Sequence, residues 1–191
     1  YLPARLQTLP VVGGWFGQGR APNLETLMKI NPDVVLAWYM KNSPVGRKTE
    51  KMLVPMGFRL VYISLDTLED YPEAFRFLGR LLHREKRAAA LADYAQETLN
   101  KIKAVRDAIP ESDKVSVYYA EGMDGLSTEC DASVHAEILA LCGGKNVHVC
   151  SSRTIYGMEK VSIEQVMRYA PDVIVSYEHG FYDAIFHDPR W

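Results

Sequence analysis

From Arg84 to Ile109 the chain runs without a Gly or a Pro, and Leu91, Ala95, Leu99, Ile102, Val105 and Ile109 recur as one helical stripe. Lys86, Arg87, Asp93, Glu97, Lys101, Lys103 and Arg106 fill the other faces, so one side packs and the rest meets water. At about 1.5 Å per residue this helix reaches about 35–40 Å before Pro110 stops it. A small domain needs no surface helix of that length, and a strut between two lobes does.

Two similar segments flank the strut. Asn23–Trp38 aligns without a gap on Ser162–Tyr177, with Glu25 on Glu164, Met28 on Met167, and Pro32-Asp33-Val34 on Pro171-Asp172-Val173. Each reads as an N-cap, a striped helix, a proline that ends it, and a short apolar strand buried on both faces. The chain is therefore expected to be α/β and duplicated around the helix, with an N-terminal lobe at 1–83, the connecting helix at 84–109 and a C-terminal lobe at 110–191. A further helix is expected over Tyr71–Leu82 behind Asp70, another over Ser133–Leu141, and strands at Arg59–Ile63, Lys114–Tyr119 and Asn146–Val149. Beginning at Tyr1 and stopping after Asp188-Pro-Arg-Trp191, the chain reads as a piece of something longer, with both lobes partial.

Composition narrows the partners. Hydrophobic residues make up 48% of the sequence, enough for real cores, and 22 basic against 24 acidic residues leave a net charge of −2. Neither a nucleic-acid stripe nor a polybasic membrane patch follows from so even a spread. No apolar run is long enough to span a bilayer, so any membrane attachment would come through a lipid anchor outside this sequence. Gly13-Gly-Trp-Phe-Gly-Gln-Gly19 lacks the G-x-G-x-x-G order of a dinucleotide loop, which leaves Trp15 as a packed lid or a ligand contact. Cys130, Cys142 and Cys150 show no zinc-site spacing. Either all three are thiols in a reduced protein, or Cys130 pairs with Cys150, since both should lie in loops near strand ends.

Ligands of open α/β sheets sit outside the carboxyl ends of the strands. Those ends are aromatic here, with Trp38, Tyr39, Tyr119, Tyr177 and Tyr182, and the loops add Trp15, Arg153 and Tyr156. Flat apolar surface with a few polar tips suits a bulky organic or metal-chelate ligand, and the Arg153 fork favours an anionic one. Histidines offer a second route, in which His135 and His179 with nearby tyrosines capture a bare or small-chelate metal such as iron or nickel. His135-Ala-Glu137 imitates the His-x-Glu of zinc deaminases without the Pro-Cys-x-x-Cys that should follow, and neither G-x-S-x-G nor HExxH occurs. Catalysis is not expected, a metal-cluster or chelatase-type enzyme of the same architecture being the remaining enzymatic alternative.

Asn23-Leu-Glu…Asn31-Pro-Asp-Val-Val-Leu-Ala-Trp38, Cys142-Gly-Gly-Lys-Asn-Val147 and Val161-Ser-Ile-Glu-Gln-Val…Ala170-Pro-Asp-Val-Ile-Val175 resemble, in order, phrases of the periplasmic substrate-binding proteins of ABC importers for ferric siderophores, haem and cobalamin. The resemblance covers essentially the whole chain. It implies two Rossmann-like lobes joined by one long α-helix, here lacking both ends of the family fold, and a ligand held between them. It also implies a periplasmic or cell-surface lipoprotein that hands an iron chelate, haem or cobalamin to an ABC permease and its ATPase, with no cofactor and no chemistry of its own. Trp38 and Tyr156 fall where the cobalamin-binding members carry cleft tryptophans, and Tyr62 matches a third such position. Glu50 stands near the place where the family docks on permease arginines. Cys142 has a counterpart that pairs with a cysteine beyond the end of this sequence.

Overall fold

The computed structural model describes residues 3–13, 22–38, 44–150 and 158–191. They divide into two compact units, Tyr1–Asp66 and Thr67–Trp191. The long helix lies within the second of these units.

In the first unit a short helix α1 (Ala4–Gln7) precedes α2 (Leu24–Ile30), β1 (Val35–Trp38), α3 (Pro44–Leu53) and β2 (Leu60–Ile63). Asn23 caps α2 by accepting the Thr26 amide at 3.0 Å, and Asn31 ends it in a left-handed turn at φ 46°. Pro32 then forbids further helix, and the chain enters β1, which runs parallel to β2 with Val35 opposite Leu60 and Trp38 opposite Ile63. Leu27, Val35 and Leu53 form the core of this unit, with Val12, Leu24, Met52, Phe58 and Leu60 packed around it.

The second unit opens with α4 (Tyr71–Leu82) and α5 (Glu85–Asp107), which lie against each other. Gly79 sits so close to Ala88 that a side chain there would overlap it, which is what lets the two helices approach. The buried line of α5 is Ala88, Ala92 and Leu99, while Val105, assigned to the packed stripe from sequence, is 66% exposed. Small residues carry the contact because α4 comes so near.

Beyond α5 follow β3 (Ser116–Tyr119), β4 (Ser127–Thr128), α6 (Glu137–Leu141), β5 (Lys145–Asn146), β6 (Glu159–Lys160), α7 (Ile163–Tyr169), β7 (Val173–Val175) and α8 (His179–Ile185). β3 is the centre of a parallel sheet in the order β5-β3-β7, and β4 pairs antiparallel with β6. The second repeat folds like the first: Ser162 accepts the Gln165 amide at 3.2 Å, and α7 ends in a left-handed turn at Ala170, φ 43°. Asp172 of its Pro-Asp pair accepts both the Ser116 amide and hydroxyl at 2.7 Å, locking the start of β7 to that of β3. These bonds hold the Asp172 carboxyl below its ordinary range.

Further expectations change: the strand placed at Asn146–Val149 is the two-residue β5, Lys145–Asn146. β7 is not buried on both faces: Val173, Ile174 and Val175 are each about two-fifths exposed, because among the described residues β7 pairs only with β3 and forms the edge of its sheet. The helix expected over Ser133–Leu141 begins only at Glu137, because Ser133 and His135 are engaged in a turn instead. Tyr118, Ala120, Leu126, Val166 and Phe181 make the core of this unit.

Candidate functional site

Strand alternation decides which β3 residues can reach a ligand. Tyr118 and Ala120 enter the core, so Tyr119 and Glu121 project to the opposite face at the carboxyl end of the strand. The Tyr119 ring meets that of Tyr177, just past β7, with centroids 6.5 Å apart and planes inclined by 35°. Tyr177 is 64% exposed, so this aromatic pair forms an open surface. Burial pushes the Tyr119 phenol up to about 12, and Glu121, Tyr177, Glu129 and Glu178 add to the shift. The neighbouring Glu178 carboxylate raises the Tyr177 phenol as well.

A buried acidic group stands beside the aromatics. Glu121 is only 5% exposed; its backbone pairs with Ser127 across the hairpin, and its Oε2 has no hydrogen-bond partner. Burial lifts its carboxyl above the ordinary range, Glu129 and Glu178 adding to the rise and His135 opposing it. Glu129, 2% exposed, is satisfied: its Oε2 accepts the Ser133 hydroxyl at 2.6 Å, and its Oε1 lies 2.9 Å from His135 Nδ1. Facing a carboxylate, which only accepts, Nδ1 is the donor of this bond.

The turn bearing these groups is held from three sides. Cys130 and Cys150 form a disulfide, their Cα atoms 5.1 Å apart. The Asn146 amide donates to the Glu129 carbonyl at 2.9 Å, and Asp131 accepts the Cys150 amide at 2.9 Å. Among the described residues only Cys130, Asp131 and Cys150 bring three metal-ligand atoms within 4.8 Å of one another, and both sulfurs are spent on the disulfide. Cys142 is an exposed free thiol.

The other sequence candidates scatter. Trp38 closes β1, half-buried. Glu50 is exposed on α3 beside Tyr62, whose phenol burial pushes up to about 12 with help from that carboxylate. Tyr182 lies within α8, 71% exposed, its ring against Phe186 at 5.4 Å. His179 is the exposed first residue of α8. His148 is a packing residue, its Nδ1 2.8 Å from the Tyr169 hydroxyl and its Nε2 3.2 Å from Glu159. Trp15, Tyr39, Arg153 and Tyr156 lie outside the described residues. Sequence reasoning passed over Glu121, Glu129 and Ser133, although the spacing of Glu129, Ser133 and His135 just before a helix was a signal for side chains folding back on a turn. An open concavity at the turn between α4 and α5, lined by His83, Arg84, Glu85, Lys86, Arg87 and Ala90, contains none of the strand-end groups. No helix among the described residues is long and apolar enough to cross a membrane.

The sequence pattern of the periplasmic binding proteins matches residues 15–191. The chain belongs to the periplasmic binding protein family. The vitamin B12-binding protein of Pectobacterium carotovorum is 28% identical over 174 residues, a stretch that is 91% of this chain and 59% of that protein. An ABC transporter solute binding protein from Sulfurospirillum deleyianum superposes with a TM-score of 0.90 at 40% identity, covering 100% of this chain and 58% of that one. A periplasmic heme binding protein from Pseudomonas aeruginosa shares the fold at a TM-score of 0.65 and 21% identity, covering 97% of this periplasmic binding protein and 66% of its own chain. This chain thus spans a little under three-fifths of the first two relatives. Membership places its work outside the cytoplasm.

Proposed function

We infer that this periplasmic binding protein captures an iron chelate, haem or a cobalamin-like compound and delivers it to an ABC permease whose ATPase drives import. The family match over residues 15–191 carries the reading, and the open Tyr119–Tyr177 pair at the strand ends supports it with the flat surface that a large chelate requires. Trp38, Tyr119 and Tyr177 are ligand contacts in this account. Trp15, Tyr39, Arg153, Tyr156 and Tyr182 join them on residue type and position, His179 is a peripheral metal contact, and Glu50 is the permease-docking carboxylate.

The test is a tryptophan-fluorescence titration with ferric siderophores, haem, cobalamin and simple metal salts. Saturable quenching by one chelate, weakened in Trp38→Ala and Tyr119→Ala, supports the reading. No response to any chelate overturns it.

A further inference from the structure

Among the described residues one trio of metal-ligand atoms converges: Cys130 Sγ, Cys150 Sγ and a carboxylate oxygen of Asp131, all within 4.8 Å of one another. The disulfide occupies both sulfurs, yet the backbone around them is held independently of it. The Asp131 amide donates to the His148 carbonyl at 2.9 Å, Asp131 Oδ1 accepts the Cys150 amide at 2.9 Å, and the Asn146 side chain donates to the Glu129 carbonyl at 2.9 Å. These three bonds join the same two segments as the bridge, so opening it leaves two thiols facing each other. With Cα atoms 5.1 Å apart, two sulfurs each about 2.3 Å from one ion are within reach of side-chain rotation alone. Asp131 stands beside them with its Oδ2 in no hydrogen bond or ion pair among the described residues. Asp131 is exposed and Cys150 half-buried, so a reductant and an ion both reach the pair from solvent.

We propose that Cys130, Cys150 and Asp131 form a redox-gated site for a thiophilic divalent cation, zinc above all, closed while the bridge stands and opened when a dithiol reduces it. Reduction moves two electrons and two protons from the dithiol to the two sulfurs: the S–S bond breaks, two S–H bonds form, and the reductant leaves as a disulfide. Zinc then displaces the two thiol protons into solvent. Two thiolates and one carboxylate oxygen hold it, and a water completes the tetrahedron. The sulfur pair selects zinc over magnesium and calcium, which take oxygen ligands. Bridge and ion perform the same task in two redox states, each tying the Glu129–Ser133–His135 turn to the segment that follows β5. Nothing in this site depends on which cargo the chain carries.

The experiment refolds the full protein from denaturant with tris(2-carboxyethyl)phosphine, confirms that all three cysteines are free thiols, and titrates zinc against a chromophoric chelator, with cobalt(II) as a spectroscopic stand-in. The expected result is one zinc per reduced chain and none taken from the chelator by the oxidised chain. The cobalt adduct shows thiolate charge-transfer absorption, and zinc raises the urea midpoint of the reduced protein only. Binding is lost in Cys130→Ser, falls about tenfold or more in Asp131→Asn, and is unchanged in Cys142→Ser. A reduced chain that refolds only with zinc present supports the site as well, because zinc then stands in for the bridge. Equal zinc uptake in both redox states, uptake indifferent to Cys130 or to Asp131, or no uptake by the reduced chain overturns it.

Discussion

Removing the Cys130–Cys150 bridge should cost the second unit a defined amount of stability. The two cysteines are 20 residues apart, and closing a loop of that length removes about 11 cal/mol/K from the unfolded chain, or about 3 kcal/mol at 25 °C. With a urea slope of about 2 kcal/mol/M, the midpoint of the second unit should fall by about 1.5 M in the Cys130→Ser/Cys150→Ser variant. The first unit contains no cysteine, so a transition belonging to it should not move. Urea melts followed by far-UV circular dichroism, with and without reductant, read both effects. A parallel thiol titration in denaturant should find one free thiol, that of Cys142, before reduction and three afterwards. Three thiols in unreduced protein from an oxidising compartment, or a midpoint shift below about 0.3 M, would show that the bridge is absent or does not stabilise the unit.

Gly79→Ala should destabilise by about 1–3 kcal/mol, because the new methyl overlaps Ala88 where α4 and α5 approach; the paired Gly79→Ala/Ala88→Gly variant should recover part of the loss in the same melts. The Tyr119 phenol, pushed up to about 12 above its unfolded value of 10.0, favours the fold fully below pH 10, and that contribution fades as the pH rises toward 12. Phenolate absorbance should show a late-titrating tyrosine that Tyr119→Phe removes. Glu111, held down to about 2 by Lys114 and then Lys145, stabilises above pH 4.5 and loses that contribution as the pH falls toward 2; nuclear magnetic resonance should show its titration midpoint rise in Lys114→Ala. The effect on stability should be small, because the pair is in solvent.

The parts legible in the sequence were those governed by local rules. Asn23 and Ser162 cap because a short polar side chain reaches the amide three residues on, and Pro32 and Pro171 follow turns that ring sterics impose. Those rules gave the repeat, and Tyr71–Leu82 came out with the bounds expected. Burial depends on what lies alongside, so β7 looked like a two-sided core strand by composition and stands as an exposed edge. Val105 kept helical register yet faces solvent, because α4 covers the line of Ala88 and Ala92.

At the candidate site, Tyr119 and Tyr177 were foreseeable because both end strands, and β3 and β7 are neighbours. The acidic neighbours were not. Glu121 reaches the group by way of a hairpin, and Glu129 only after β4 turns back beneath it, neither of which leaves a periodic trace. His148 is likewise held from outside its own loop, its Nδ1 2.8 Å from the hydroxyl of Tyr169.

The central claim is that this chain binds a metal chelate, and isothermal calorimetry of the purified protein against ferric siderophores, haem and cobalamin tests it most directly. The account predicts saturable one-to-one binding of one of them at micromolar concentration or below, weakened by Tyr119→Ala. Heat of dilution alone with every chelate would contradict it.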